Sequence, residues 1–524
     1  MRQSRIFELL AVAFLLEGSS LCAVAAVRCS PALPLRGDAA DRPAPRRVRA
    51  ACEPSRLGPS NVPVPAIEGP VTGGNGYPYV SSTGFDLAEV GYSQAEFFIS
   101  GTASGYSNVG SFDADGRWRA TPAPGASYKT RVVVYRPIDA AKFNGTVIVE
   151  WLNVSGGLDA APDWTSAHTE LIRGGFAWVG VSAQSVGVEG SSGMTLVSLP
   201  LKKVDPARYG SLHHPGDSFS YDMFSQAGQA IRRPGAVDPL GGLTPSRVIA
   251  AGESQSAFRL VTYINAVHPL AQVYDGFLVH SRGSSGAPLS QDPQPTIMAP
   301  SVAHLRNDLG VPVLVFETET DLVSLGYFSN RQVDGSQFRL WEVAGTAHAD
   351  TYTLLVGATD LGNSPSAADL VVTASPIPGI IDCDKPINSG PQHFVLNAAF
   401  AALDRWVRDG TTPPHAERLQ IAAGTPPLIV VDSHGNALGG VRTPAVDVPI
   451  ATLSGLGQTG ANFCSIFGTT VPFDRATLAS LYPTHDAYVA AVAAAADRAV
   501  AAGFILAPDA DLIKASAVES DIGD

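Results

Sequence analysis

Basic residues, cysteines and long apolar runs are all scarce in this chain of 524 residues. Lys and Arg number 35 against 48 Asp and Glu, so the net charge is -13, which argues against nucleic acid as a partner. No stretch of about 18 uninterrupted apolar residues follows residue 26, so we expect no stable insertion into a membrane. The five cysteines match no zinc-binding spacing, which argues against a structural zinc site.

The N-terminal segment has the organisation of a signal for export. Two arginines precede the apolar run 9–16, which is too short to cross a bilayer, and small residues follow at 23–26 as a cleavage site. Residues 1–26 therefore predict a signal peptide. Residues 27–65 are rich in Pro, Arg and Ala, which indicates a linker. We expect a secreted or periplasmic protein with a folded domain over about 66–520.

Export would allow disulfide bonds to form. Besides Cys22 in the predicted signal peptide, the chain has Cys29, Cys52, Cys383 and Cys464. We hypothesise that Cys383 pairs with Cys464, which would close a loop of about 80 residues and stabilise the fold by a few kcal/mol. Two buried free cysteines are the alternative.

Strand-like and helix-like patterns alternate through the first two thirds of the chain. The eight predicted strands are 95–100, 130–135, 146–153, 177–183, 247–252, 276–281, 312–317 and 338–342. Helical patterns at 163–173, 220–233 and 257–264 lie between them. This alternation predicts an α/β fold with a mostly parallel eight-stranded sheet covered by helices on both faces. Ligands of such sheets bind at the carboxyl ends of the strands.

Two further segments are expected to select the substrate. One is a lid-like insertion at about 184–220, and the other is a long C-terminal extension at about 350–520. In the extension we predict an amphipathic helix over 391–408, a strand pair over 428–450, and an Ala-rich helix over 485–502. The strand pair should turn at His434-Gly435-Asn436.

The fifth predicted strand ends in a candidate nucleophile. It runs into Gly252-Glu253-Ser254-Gln255-Ser256, and a helical pattern follows. A serine between a buried strand and a helix is the layout of a nucleophile elbow, in which a tight turn lifts the hydroxyl above the sheet. From the motif alone, a plain turn with Ser254 as a helix cap is an equal alternative.

Serine acyl transfer also needs a base and an acid that orients the base. In this kind of fold the acid follows two strands after the nucleophile strand, and the histidine lies beyond the last strand. Asp321 and His348 occupy those positions. Glu319 is the alternative acid, and Glu317 is less favoured because it still belongs to the strand. Solvated loop side chains are the structural alternative for each position.

Backbone N–H groups are expected to stabilise the oxyanion. One should be that of Gln255, directly after the nucleophile, and the other should come from Val154 or Ser155 in the loop after the third strand. Arg282, at the end of the sixth strand, is a candidate for lining the substrate pocket. A structural pairing of its guanidinium is the alternative.

His213 and His214, near Asp217, are the one pair that could suggest a metal site. They lack a closed set of further ligands, so a surface loop is the better interpretation. We expect neither a metal nor a cofactor.

These motifs resemble those of the α/β-hydrolase superfamily, and within it those of a bacterial group of large secreted or periplasmic hydrolase-domain proteins. The resemblance covers about residue 69 to nearly the C-terminus and implies an esterase-like Ser-Asp-His enzyme. Ser256 departs from the pattern, because the elbow usually has a second glycine there. Serine is small enough to allow close packing of helix and strand. The stretches that carry the resemblance are 150–157, 178–184, 251–256, 317–321, 344–348, 386–391 and 463–468.

Together these observations predict a secreted serine hydrolase that cleaves a small-molecule carboxylic ester through an acyl-enzyme on Ser254. An amidase, peptidase or acyltransferase would use the same three side chains, and a non-catalytic binding protein on the same scaffold is a further alternative. No motif identifies the acyl or the alcohol group.

Overall fold

The computed structural model describes residues 60–190 and 198–524. The predicted signal peptide and most of the predicted linker lie outside these residues, as do Cys29 and Cys52. Part of the predicted lid-like insertion, 191–197, also lies outside them.

A nine-stranded sheet lies at the centre of the fold, with strand order β1-β2-β3-β5-β4-β6-β7-β8-β9. Strands β5, β4 and β6 to β9 are parallel to one another, whereas β1, β2 and β3 pair antiparallel, as does β3 with β5. The strands are β1 Ala66–Glu68, β2 Tyr92–Asn108, β3 Ala120–Pro137, β4 Thr146–Trp151, β5 Ala177–Val181, β6 Arg247–Glu253, β7 Gly276–His280, β8 Val313–Glu317 and β9 Phe338–Glu342.

The predicted count of eight strands is wrong by one. All eight predicted strands are present, and β1 is added at the edge of the sheet through its antiparallel pairing with β2. This strand is three residues long and is not buried, so it lacks the apolar run by which the other strands are recognised. The order places the carboxyl ends of β4 and β6 to β9 at one edge, where ligands of such sheets bind.

Helices cover both faces of the sheet, as expected. The α-helices of the described residues are α1 Pro162–Arg173, α2 Ser185–Val188, α3 Leu201–Val204, α4 Pro206–Tyr209, α5 Ser220–Arg232, α6 Gln255–Thr262, α7 His268–Ala271, α8 Glu319–Val323, α9 Gln392–Asp409, α10 Pro444–Asp447, α11 Arg475–Leu481, α12 His485–Ala502 and α13 Ala507–Glu519. Two π-helical segments, Tyr263–Val267 and Tyr352–Val356, lie after α6 and after the loop that contains His348.

Two hydrophobic cores follow from the alternation of side chains along the strands. Val147 and Val149 of β4 point into one core with residues of α5 and α6, whereas Ile148 points into the other with residues of α1 and α9. Because both faces of β4 and β6 are buried, these strands are mostly apolar rather than alternating.

In the C-terminal extension, the helices predicted over 391–408 and 485–502 are present as α9 and α12. The predicted strand pair is not. Leu428–Ile429 pairs with Ile421–Ala422 instead, and across the turn only Val431 and Ala437 form an isolated bridge.

The side chain of Asn436 explains this difference. It donates to the carbonyl of Ala451 and accepts from the N–H of Leu453, so the chain after the turn is joined to the strand Ala451–Ser454 as well as to residues 430–432 before the turn. That strand pairs antiparallel with Thr469–Pro472.

A disulfide bond joins Cys383 and Cys464, with an S–S distance of 2.07 Å, as hypothesised. It links two segments of the extension. Within the described residues, no helix is both long and apolar enough to cross a membrane.

Candidate active site

The candidate nucleophile lies at a sharp turn between β6 and α6. Ser254 has φ 55° and ψ -120°, and its N–H donates to the carbonyl of His280 on the neighbouring strand. Such a positive φ is strained for a residue with a side chain, and it persists because β6, β7 and α6 fix both ends of the turn. A Cβ on Gly252 would lie 3.2 Å from the Cβ of Ser256, so both positions require small residues. Serine at 256 meets that requirement.

Ser254, His348 and Asp321 form one continuous chain of hydrogen bonds, hereafter the Ser–His–Asp chain. Ser254 Oγ lies 2.8 Å from His348 Nε2, and His348 Nδ1 lies 2.6 Å from Asp321 Oδ1. The side chains of the His–Asp pair are fully buried, whereas Ser254 is 6% exposed. The tautomer that satisfies both contacts carries its proton on Nδ1, which leaves the Nε2 lone pair for the serine hydroxyl.

Asp321 is positioned by the first turn of α8. Its Oδ2 accepts from the N–H and the hydroxyl of Thr318, each at 2.7 Å, in a capping box, so Oδ1 remains for the imidazole. These two hydrogen bonds fix the orientation of the Asp321 carboxylate in the first turn of α8.

Glu319, the alternative acid, points elsewhere. Its carboxyl accepts from the N–H groups of Gly345 and Gly455 and from the hydroxyl of Ser454. Burial raises the pKa of Glu319 to about 7. The structure therefore brings Asp321, not Glu319, to His348, and Glu319 ties the histidine loop to the C-terminal extension.

The expected oxyanion donors lie on two elements. Gln255 is the first residue of α6, so its N–H has no partner within the helix. In the loop after β4, the N–H of Ser155 donates to Asn153 Oδ1 at 2.8 Å, whereas no hydrogen bond among the described residues uses the N–H of Val154. Of the two predicted loop donors, Val154 is the one whose N–H is not already engaged.

Glu253, directly before the nucleophile, was not predicted as part of the site. Its carboxyl is buried, with Oε1 3.3 Å from His348 Nε2 and Oε2 3.4 Å from Asn153 Nδ2. Burial, with a further contribution from the carboxyl of Asp163, raises the pKa of Glu253 well above its ordinary value. The signal available in the sequence is a glutamate at the end of a strand that is otherwise apolar and buried.

A second buried His–Asp pair lies beside the first and was also missed. His280, at the end of β7, places Nδ1 2.9 Å from Asp163 Oδ1 at the start of α1. Its Nε2 lies 2.8 Å from the side-chain nitrogen of Gln392 at the start of α9. The residues of this cluster come from β7, α1 and α9, which are distant in sequence, so no local motif predicts it.

Arg282 is fully buried, and its guanidinium donates to the backbone carbonyls of Gly283 and Ala303. It also lies over the ring of Tyr327, 5.4 Å from the ring centre. These contacts are those of a structural pairing, and substrate binding by Arg282 stays a prediction that they do not support.

Within residues 60–190 and 198–524, the pair His213 and His214 does not form a metal centre with Asp217. His214 donates from Nε2 to the carbonyl of Ala183 and accepts at Nδ1 from the N–H of Gly216, so both ring nitrogens are engaged. Among the residues that the structure describes, no group of three or more His, Cys, Asp or Glu side chains could hold a metal ion.

The chain is similar to several solved structures, each at low sequence identity. Among solved structures, the chain is similar to an a/b serine hydrolase without a lid from Xanthomonas campestris, at 14% identity over 47% of this chain and 86% of that chain, with a TM-score of 0.25. A fungal esterase from Rhizomucor miehei matches at 11% identity over 59% and 84%, with a TM-score of 0.26. Acetyl xylan esterase 1 from Thermoanaerobacterium sp. matches at 11% identity over 54% and 82%, also with a TM-score of 0.26.

No curated protein matches the chain. The model of one protein family, described as "Alpha/beta hydrolase domain", matches residues 67–515. That match spans most of the chain and includes every candidate site residue. The chain therefore belongs to this alpha/beta hydrolase domain family and has the α/β-hydrolase fold.

Proposed function

We propose that this protein is a serine hydrolase that cleaves carboxylic esters through an acyl-enzyme on Ser254. The observation that carries the proposal is the unbroken Ser–His–Asp chain, with contacts of 2.8 and 2.6 Å, at the carboxyl end of a parallel sheet. A serine hydroxyl, an imidazole and a buried carboxyl group in this order are what nucleophilic acyl transfer requires.

In the first step, Ser254 Oγ attacks the ester carbonyl carbon while His348 Nε2 takes the hydroxyl proton. Asp321, 2.6 Å from Nδ1, stabilises the imidazolium that forms. The oxyanion accepts hydrogen bonds from the N–H groups of Gln255 and Val154. When the tetrahedral intermediate collapses, the C–O bond to the alcohol breaks, and the alcohol leaves with the proton from Nε2.

In the second step, water takes the place of the alcohol. His348 removes a proton from water as the oxygen attacks the acyl carbon, and then returns that proton to Ser254 Oγ when the ester bond to the enzyme breaks. The carboxylic acid is released and the free enzyme is restored. No cofactor enters either step.

The lid-like insertion and the C-terminal extension are proposed to shape the substrate site. Asp217, in the insertion, receives hydrogen bonds from Arg259 on α6 and from the N–H of Ser185, so the insertion is fixed to the helix that follows Ser254. On the other side, Gly455 in the extension binds Glu319, two residues before Asp321.

Action outside the cytoplasm is part of the proposal. Its support is the export pattern of residues 1–26 together with the Cys383–Cys464 disulfide, since disulfides persist in oxidising compartments. Mass spectrometry of protein recovered from the periplasm or medium should find a new N-terminus near residue 26. An intact N-terminus on active cytoplasmic protein would contradict export.

Reaction class is tested with p-nitrophenyl esters and p-nitroanilides of matched acyl groups, graded in length, on the wild type and on Ser254→Ala. We expect turnover of esters by the wild type with an initial burst of nitrophenol, and none by the variant. Retained ester turnover in Ser254→Ala would contradict the proposal. Faster turnover of the anilides would assign an amidase, and absence of turnover with any substrate would favour a binding protein.

A further inference from the structure

Glu253 contacts both the candidate base His348 and the loop after β4, residues 153–157, hereafter the oxyanion loop. It is the last residue of β6 and lies directly beside His280 of β7 in the sheet register. From this position its carboxyl reaches His348 Nε2 at 3.3 Å and Asn153 Nδ2 at 3.4 Å. Ser254 Oγ, at 2.8 Å, remains the closer partner of the same nitrogen.

Asn153 makes the other half of this connection. Its amide group donates to the backbone carbonyl of Glu253 at 3.3 Å, and its Oδ1 accepts from the N–H of Ser155. The backbone of Asn153 pairs with Ala160 in both directions. The side chain of Asn153 therefore fixes the bend of the loop that presents the N–H of Val154, and Glu253 fixes Asn153.

The groups that face Glu253 are acidic or neutral. Three carboxyls contribute to its electrostatic environment, those of Asp163 on α1, Asp321 on α8 and Glu150 on β4, and the imidazole of His348 lies 3.3 Å from Oε1. Within the described residues, Glu253 forms no ion pair with Lys or Arg. Burial and these carboxyls raise its pKa well above the ordinary value, so its neutral form is favoured.

We propose that Glu253 is a positioning residue that acts as a neutral carboxyl group and holds the oxyanion loop, through Asn153, in register with Ser254 and His348. This inference rests on the proposed function and assigns a role to a further residue of the same site. A charged carboxylate at this distance would favour a proton on Nε2 and so remove the base. A neutral carboxyl carries no charge that would favour this proton.

The test compares Glu253→Ala with its conservative counterpart Glu253→Gln. Glu253→Ala removes the side-chain acceptor of the Asn153 amide and leaves only the backbone carbonyl of residue 253. Because a misplacement of about 1 Å can cost about 100-fold, we expect kcat to fall by about that factor with little change in KM. Glu253→Gln retains a neutral acceptor oxygen, so we expect kcat to fall by about fivefold or less.

The pH profile of kcat/KM tests whether Glu253 is neutral or ionised beside the base. If Glu253 is neutral in the wild type, Glu253→Gln leaves the midpoint of the acid limb within about 0.3 pH unit of its wild-type position. If Glu253 is ionised, removing its charge beside the base lowers that midpoint by about one pH unit or more, which would overturn the inference.

Asn153→Ala supplies an independent variant of the same connection. Because Glu253 is proposed to act through Asn153, the double variant Glu253→Ala/Asn153→Ala should lose about as much kcat as Asn153→Ala alone. Multiplied losses would overturn the inference, as would Glu253→Gln losing as much as Glu253→Ala. Thermal unfolding of each variant identifies loss of folding, and in that case the Asn153→Ala and Glu253→Gln results decide.

Failure of this inference is distinguishable from failure of the proposed function. Ester turnover that disappears in Ser254→Ala but is unchanged in Glu253→Ala overturns the inference alone. Absence of any Ser254-dependent turnover in the wild type overturns both.

Discussion

Two neighbouring strands, β6 and β7, end in almost the same way, yet only one end carries a complete Ser–His–Asp chain. Each is followed by a serine with a positive φ, 55° at Ser254 and 54° at Ser281. Ser281 Oγ is buried without a partner among the described residues, and the residue is 0% exposed. Ser254 directly precedes α6 and is 6% exposed, and its hydroxyl lies 2.8 Å from His348 Nε2. A strained serine at a strand end is therefore not sufficient to make a nucleophile.

The two buried His–Asp pairs differ in the partner of the second ring nitrogen. His348 Nε2 faces the hydroxyl of Ser254, whereas His280 Nε2 faces the amide of Gln392. The side-chain amide of Gln392 cannot act as a nucleophile, so no attacking group faces Nε2 of His280. What distinguishes the first pair is the group it activates and the access of that group to solvent.

The largest predicted difference between the two strand ends is in turnover. Ser254→Ala removes the proposed nucleophile and with it the covalent step, so it should lower kcat on a p-nitrophenyl ester by about 10⁶-fold. Ser281→Ala removes a hydroxyl that has no base and no exposure, and its activity should stay close to that of the wild type. Comparable losses in the two variants would remove the distinction.

The next largest difference separates the two carboxylates. Asp321→Asn should lower kcat by about 10⁴-fold, because an amide opposite Nδ1 favours the wrong tautomer of His348. Asp163→Asn changes the corresponding group of the other pair and should lower kcat by less than about tenfold, with a loss of about 1 kcal/mol in the free energy of unfolding. A larger kinetic effect at Asp163 would give the second pair a role in turnover.

The sequence predicted those parts of this arrangement that depend on local residue patterns and on the order of the strands along the chain. The eight strands that were predicted are apolar runs buried on both faces, a local signal. The positions of Ser254, Asp321 and His348 followed from strand order, which orders loops along one edge of the sheet.

The contacts of Glu253 and His280 could not be predicted in the same way. Their partners, Asn153, Asp163 and Gln392, come from elements far apart in the chain. Such contacts depend on the rotation and depth of packed helices, which no periodicity encodes. For the same reason, the sequence could not predict the hydrogen bonds that join the side chain of Asn436 to the later strand Ala451–Ser454.

Removal of the disulfide tests how the extension supports the Ser254 end of the sheet. Cys383→Ser/Cys464→Ser opens a link across 81 residues, and we expect the free energy of unfolding to fall by about 2–5 kcal/mol. Urea unfolding of this variant against the reduced and oxidised wild type measures the effect. Oxidised wild type no more stable than the variant would show that the bond contributes nothing.

Asp350, near His280, gives the smallest effect and a pH dependence of known sign. Burial raises its pKa from 3.8 to about 6, so between these values the folded protein binds this proton more tightly than the unfolded chain does. The stabilising contribution is complete below about pH 4 and is lost as the pH rises through about 6.

Asp350→Asn stays neutral and lacks this component. The free energy of unfolding of Asp350→Asn minus that of the wild type, measured from pH 4 to 7, should increase by up to about 2–3 kcal/mol as the pH rises. A difference between the two proteins that does not change with pH would contradict the raised pKa.

Covalent labelling of the wild-type protein with a fluorophosphonate, followed by mass spectrometric mapping of the modified peptide, tests the role of Ser254 most directly. We predict one stoichiometric adduct on Ser254, abolished in Ser254→Ala and retained in Ser281→Ala, because His348 activates that hydroxyl alone. An adduct on Ser281 or on another serine, or no adduct on the folded protein, would contradict it.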